Sequence, residues 1–516
     1  MRNNVNEQKL RAALDAVDVG GSIVCGINAD AITTNDDASC VPFNAFGPTA
    51  TGGGAFDYAL EDTLYKARTY LDDISAQIAG SPFSTWAGDV TVALAAEWRE
   101  QRFKSVSEAD TNALANCAGL LDCTQGSTKL WRQSFATDSL MKQGVWEVAG
   151  EAEVPLLADM PFAQRLSVNG AARYAKYSGI GSYWAWKGGF SWQVSNDLRF
   201  RGTVSRDIRA PTLSDLYASP ATNLGSYPDL LLGVNVTVPQ SELGNRNLTP
   251  EIGKTWTVGA VIKPSFVPGL TFTIDYYNLK ISNAITRSVG SSDYFQRTCY
   301  DSGGTSPACD LQERPIDFTT KTPANAATAF YVKPFNIGSL KTYGIDAELN
   351  YVASLGTMPL RLRVLTAWQP HIKYITVDGA IERDQAGVAF GPVGMTASPK
   401  WRVTTEASIE PIQNVRFDLQ YRWRSGLKFD GVPDRVWAGA DGIPAYGILA
   451  LNMSYRVPTE TMGDFEFFLN IQNLLNKDPD AANGTGTASN VGRQNGFAQS
   501  DDPLGRYFTV GAKVKF

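Results

Sequence analysis

Six cysteines carry the most chemically suggestive spacing in the chain. They fall in three close pairs: Cys25/Cys40, Cys117/Cys123 and Cys299/Cys309. An even count in neighbouring pairs predicts local disulfides and an oxidising compartment. A zinc site is the competing reading, but zinc prefers shorter spacings and usually recruits imidazole. The chain has one histidine, His371, in Trp368-Gln369-Pro370-His371, where it reads as a solvated loop residue. A catalytic triad is therefore unsupported. Gly52-Gly53-Gly54 lacks the lysine and helix of a phosphate loop and reads as a turn. Asp36-Asp37 and Asp501-Asp502 lack the oxygen-rich loop that calcium needs. No enzyme site and no cofactor are expected. Tyr183, Lys187, Arg422, Arg424 and Trp437 are the candidates for binding a ligand. Arginines grip anionic or hydroxyl-rich groups, and Trp437 would stack on a sugar or a planar chelate. The competing reading for the arginines is pairing with carboxylates such as Asp418 on the same face.

The elements that must hold these residues are strands. The chain has 516 residues and a formal charge of -6, which argues against a nucleic-acid partner. No run reaches the ~18 apolar residues of a membrane helix. Barrel strands escape that test, because they alternate. Residues Gly505 to Phe516 show it: Phe508, Val510, Ala512, Val514 and Phe516 share one face, and Thr509, Lys513 and Lys515 the other. Val415, Phe417, Leu419, Tyr421 and Trp423 alternate with Arg416, Asp418, Gln420, Arg422 and Arg424. Such a strand needs two solvents, and lipid outside with a wet lumen inside supplies them. Many segments keep the pattern for about ten residues, the length that crosses a bilayer at a tilt.

Connections are expected to alternate strictly, short then long. Long ones span roughly 104–142, 209–253, 287–339, 375–399, 425–444 and 476–504. All three cysteine pairs lie on the long-loop side. Trp98, Tyr174, Trp401 and Trp423 hold the apolar parity near the long-loop ends of their strands, as an interfacial belt would. Phe516 is a further interface aromatic. Residues 1–57 read as a loop segment, with Leu10, Leu14 and Val17 on one short helix face, and 58–516 as the barrel.

Four stretches resemble the barrel half of TonB-dependent outer-membrane receptors. They are Arg201 to Tyr217, Asn247 to Ile252 with the hairpin holding Asp275-Tyr276-Tyr277, Lys341 to Glu348, and Asn470 to Lys477 ahead of the terminal strand. The resemblance covers roughly residues 58–516. It implies an all-β, antiparallel transmembrane barrel in the outer membrane of a Gram-negative bacterium. Extracellular loops would be long and periplasmic turns short. It also implies uptake of a scarce, bulky nutrient of the ferric siderophore, oligosaccharide or cobalamin class, held at the extracellular loops. A passive pore or surface-binding barrel is the alternative. Family barrels have about 22 strands closed around an N-terminal plug, and the TonB complex is a partner expected only of a full-length receptor with that plug. Nothing at 1–57 resembles a plug, a TonB box or a signal peptide. About fifteen strands are expected here, an incomplete barrel whose last strand lacks its closing neighbour.

Overall fold

Strict alternation over long segments produces one large antiparallel sheet. The computed structural model describes residues 1–46, 54–126, 128–137, 140–218, 221–375, 382–389, 398–428, 442–458, 464–483, 494–498 and 501–515. Among the described residues fifteen strands form the wall. They are β1 (Tyr65–Thr85), β2 (Gly88–Ser107), β3 (Met141–Met160), β4 (Ala163–Tyr177), β5 (Gly181–Ser195), β6 (Leu198–Arg209), β7 (Glu251–Ile262) and β8 (Leu270–Val289). The series continues with β9 (Ala329–Leu355), β10 (Met358–Ile375), β11 (Trp401–Ile412), β12 (Val415–Arg424), β13 (Tyr446–Pro458), β14 (Asp464–Gln472) and β15 (Tyr507–Lys515). Each pairs with the next, antiparallel, so hairpin follows hairpin around a barrel-type sheet. Short loop strands extend the same sheet beyond the wall, among them the hairpin Ala221–Asp229/Val234–Glu242.

Among the described residues no register joins β15 to β1. Every residue of β1 from Tyr65 to Ser84 is exposed, whereas strands paired on both sides are partly covered. The wall of about fifteen strands expected from the sequence is the wall observed.

Register fixes the two faces. Phe508, Val510, Ala512 and Val514 of β15 lie opposite Ile471, Leu469, Phe467 and Phe465 of β14, all apolar. Thr509, Gly511 and Lys513 face Asn470, Phe468 and Glu466. On β2 the outer face runs Val92, Leu94, Ala96, Trp98 and then changes to Glu100, Arg102, Lys104. Trp98 thus marks the upper limit of the apolar band, beside Trp146 of β3 at 6.3 Å between ring centroids.

Tight turns close one end, as at Gly356-Thr357 between β9 and β10. Gly269 just before β8 is required there: its φ is +85°, and a Cβ would sit 2.0 Å from the Val352 carbonyl oxygen. Long connections gather at the other end, with one departure from strict alternation. Residues 178–180 join β4 to β5 there as a three-residue link. Tyr177 and Gly181 pair directly, which leaves no room for a longer loop.

Among the described residues, apolar cores gather at the long-loop end. Phe295, Cys299, Ala308, Cys309 and Leu311 form one, and Ala12, Cys25 and Ile27 another. The segment before β1 folds with the connection between β2 and β3. Its helix, Glu7–Leu14, is capped by the Asn6 side chain, which accepts from the Lys9 amide. The helix buries Ala12 and Ala13 and leaves Leu14 exposed, so its covered face is not the leucine face expected. Asn4 bonds the Gln133 carbonyl at 2.8 Å, Arg132 bonds Glu7 at 2.7 Å, and Asn4–Val5 pairs with Leu60–Glu61.

Candidate functional site

The lumen face is polar along most of the wall, because alternate residues of each strand must meet water there. Its charges are largely paired across strands. Glu147 on β3 is buried and held by Arg99 of β2 at 2.9 Å and Arg173 of β4 at 3.3 Å. Arg201 on β6 grips Asp275 of β8 through two hydrogen bonds, 2.9 and 2.5 Å. Arg363 of β10 bonds Glu348 of β9 at 2.8 Å, and within β12 Arg416 bonds Asp418 at 2.7 Å. A polar cleft of about 550 Å³ opens between β9 and β14, lined in part by Arg361, Arg363, Glu406, Asp418, Asn452 and Gln472. These rungs have a sequence signal, charge at the lumen parity, but the partner of each is invisible before register is known.

The sequence candidates divide. Lys187 on β5 is exposed and lines a lumen concavity with Glu151, Glu153 and Asn169. Arg422 on β12 is exposed on the same lumen face as Gln420 and Asp418. Tyr183 is turned to structural use: it packs beside Val145, Ala175 and Tyr177, and its hydroxyl donates to the Ile180 carbonyl at 3.2 Å. Arg424 is buried and committed within the protein. Its Nε donates to Asp501 at 2.7 Å, its Nη1 to the Pro444 carbonyl at 2.9 Å, and its guanidinium stacks on Tyr446. Its carboxylate partner is thus a loop residue and not Asp418. Trp437 and Phe516 lie outside the described residues.

Trp98, Tyr174 and Trp423 are half-buried and Trp401 is exposed. Each has an aromatic or apolar neighbour across the strand: Trp184 beside Tyr174 at 5.1 Å, Trp368 beside Trp401 at 5.8 Å, and Val403 opposite Trp423.

The long-loop end is stapled. Disulfides join Cys25 to Cys40, Cys117 to Cys123 and Cys299 to Cys309. A fully buried ion pair, Arg314 with Asp229 at 2.6 Å, locks the β8–β9 connection to the 221–242 hairpin. Arg314 also donates to the Tyr300 hydroxyl at 2.7 Å and the Asn325 carbonyl at 2.8 Å. Burial pushes the Asp229 carboxyl up, but Arg314 and the amides of Ala327 and Leu232 outweigh it and hold it below its ordinary range. Nothing in the sequence pairs these two residues. His371 belongs to β10 and is no free loop residue: its ring nitrogen meets Asp384 at 2.5 Å. Burial raises the Asp384 carboxyl, and hydrogen bonds from His371 and the Ile372 and Ala386 amides lower it further than that. Asp37 is likewise bound, accepting from Tyr58 at 2.8 Å.

Comparison with known proteins matches residues 28–474 to the model of the TonB dependent receptor-like β-barrel family. No curated protein matches the chain. Among solved structures, a mutant of the ferric enterobactin receptor PfeA from Pseudomonas aeruginosa, in complex with enterobactin, is 16% identical with a TM-score of 0.56. The match covers 89% of this chain and 56% of that one. The siderophore receptor PirA from Acinetobacter baumannii is 12% identical with a TM-score of 0.56, over 90% of this chain and 57% of that one. The RagAB peptide transporter is 12% identical with a TM-score of 0.50, over 88% and 56%. The chain thus spans little more than half the length of the structures it resembles.

Proposed function

We propose, from the premise that this chain belongs to the family of TonB-dependent receptor-like β-barrels, that it is the barrel portion of an outer-membrane receptor that takes up a scarce, bulky nutrient. One observation carries the reading. The same strands bear an apolar, aromatic outer face and a charged inner face, and their long connections gather at one end. Lipid and water on opposite sides of one sheet account for both faces. The long-loop end is then extracellular, and residues 1–57 belong to it. Trp98, Tyr174, Trp401 and Trp423 sit at the outer interface.

Cargo enters from the loop rim and meets Lys187 and Arg422 on its way down. Cationic groups of this kind suit a ferric siderophore, an oligosaccharide or a cobalamin. The similar solved structures include receptors for siderophores and a peptide transporter. Energy comes through the TonB complex, acting on a plug in the whole receptor. The test is uptake by cells with and without the gene, using labelled ferric siderophores, oligosaccharides and cobalamin in turn. Uptake of one class is expected to depend both on the gene and on TonB. Gene-dependent uptake that persists without TonB would replace this reading with a passive pore.

A further inference from the structure

Five neighbouring strands carry a basic residue at one shared level of the outer face. Arg206 of β6 lies opposite Lys254 of β7, Lys254 opposite Lys280 of β8, Lys280 opposite Lys341 of β9, and Lys341 opposite Lys373 of β10. At ~4.8 Å between strands the row is roughly 19 Å long. Lys254, Lys280 and Lys341 are exposed. Directly beneath runs an aromatic row on the same face: Trp256 lies 5.0 Å from Tyr276, and Tyr276 lies 6.4 Å from Tyr343.

Like charges placed opposite one another across strands repel. Among the described residues Glu382 answers one end of the row, at 3.3 Å from Lys341 and 3.0 Å from Lys373, and Asp384 lies opposite Lys373. Lys254 and Lys280 form no ion pair among the described residues. The outer face just above Trp98 on β1 and β2 mixes signs: Arg102 pairs with Asp72 and Glu100, while Arg68 lies opposite Lys104. The row on β6 to β10 differs in running through five strands with one sign.

We infer that this row docks phosphate groups on the glycolipid of the outward-facing leaflet. The inference rests on the membrane-barrel reading. Ammonium groups above an aromatic belt stand at head-group depth, where their charge meets lipid phosphate and the rings beneath meet the acyl boundary. A row repeating at strand spacing engages several phosphates at once, which removes the repulsion the bare row suffers.

The test is native mass spectrometry of the detergent-solubilised protein in dodecyl maltoside micelles doped with lipid A, or with lipid A stripped of both phosphates. The wild type is expected to prefer the phosphorylated lipid. Lys254→Gln, Lys280→Gln and Lys341→Gln together are expected to weaken that binding on the order of a hundredfold. The corresponding triple arginine variant should retain it, which separates lost charge from lost fold. Equal binding of both lipids by the wild type, or undiminished binding by the glutamine variant, would overturn the inference. A protein that fractionates with membranes yet behaves so overturns the row alone. One that stays in solution without detergent overturns the membrane reading as well.

Discussion

Arg424 and Arg314 show how little a charged residue's type says about its task. Both are arginines in a family of ligand-binding barrels, and both are spent on holding loops. Arg314 and Asp229 are fully buried together, so removing one strands the other without a partner. Arg314→Ala is expected to destabilise the loop cap by about 3–5 kcal/mol, read as protease cleavage within residues 289–329 while the wall stays resistant. Unchanged cleavage would show that the pair does not hold the cap. Acid tests the same loops. Asp229 is held below the ordinary carboxylate range, and Asp317, bound by the amides of Thr319 and Thr320, is lowered to about 2. A depressed folded pKa means that the unfolded loop takes up protons first as pH falls. The contribution is therefore complete above the ordinary value of 3.8 and drains away toward about 2. Protease resistance of the cap should hold at pH 5 and fall between about 4 and 2; a loss centred near neutrality would contradict this.

At the scale of elements, parity decides what a strand tolerates. Val510 is 76% exposed on the outer face and Thr509 lies opposite Asn470 on the inner face. Val510→Lys places a charge in lipid and is expected to cost about 2–4 kcal/mol. Thr509→Lys, one residue away, is expected to be tolerated. Heat-modifiable gel migration reads both, and equal behaviour of the two variants would mean that the faces are misassigned. The Cys299–Cys309 bridge closes a short loop inside the Phe295/Leu311 core. Replacing both cysteines by serine is expected to remove about 3 kcal/mol from that cap, seen as faster hydrogen exchange in Asp293–Asp301 with β9 unaffected.

For the whole molecule, the two ends of the sheet matter most. Interior strands such as β7 have hydrogen-bonded neighbours on both sides, while among the described residues β1 has a register only with β2. About half of the amides in Tyr65–Thr85 are expected to exchange as unprotected groups, against full protection through Glu251–Ile262. Uniform protection along β1 would reveal a partner strand on its free edge. The sequence by itself determined whatever depends on short range: the strand alternation, the two faces of Val415–Arg424, the three cysteine pairs close enough to bridge, and the count of wall strands. These are readable because strand period and loop closure involve neighbouring residues only. Tertiary structure decided every partnership across the chain. Arg424 finds Asp501, Arg314 finds Asp229, His371 is drawn into β10 beside Asp384, and five cations from five strands align in one row. The physical reason is register. Parity tells which face a side chain takes, but only the pairing of distant strands and the docking of loops set the level at which it stands and the group it meets there.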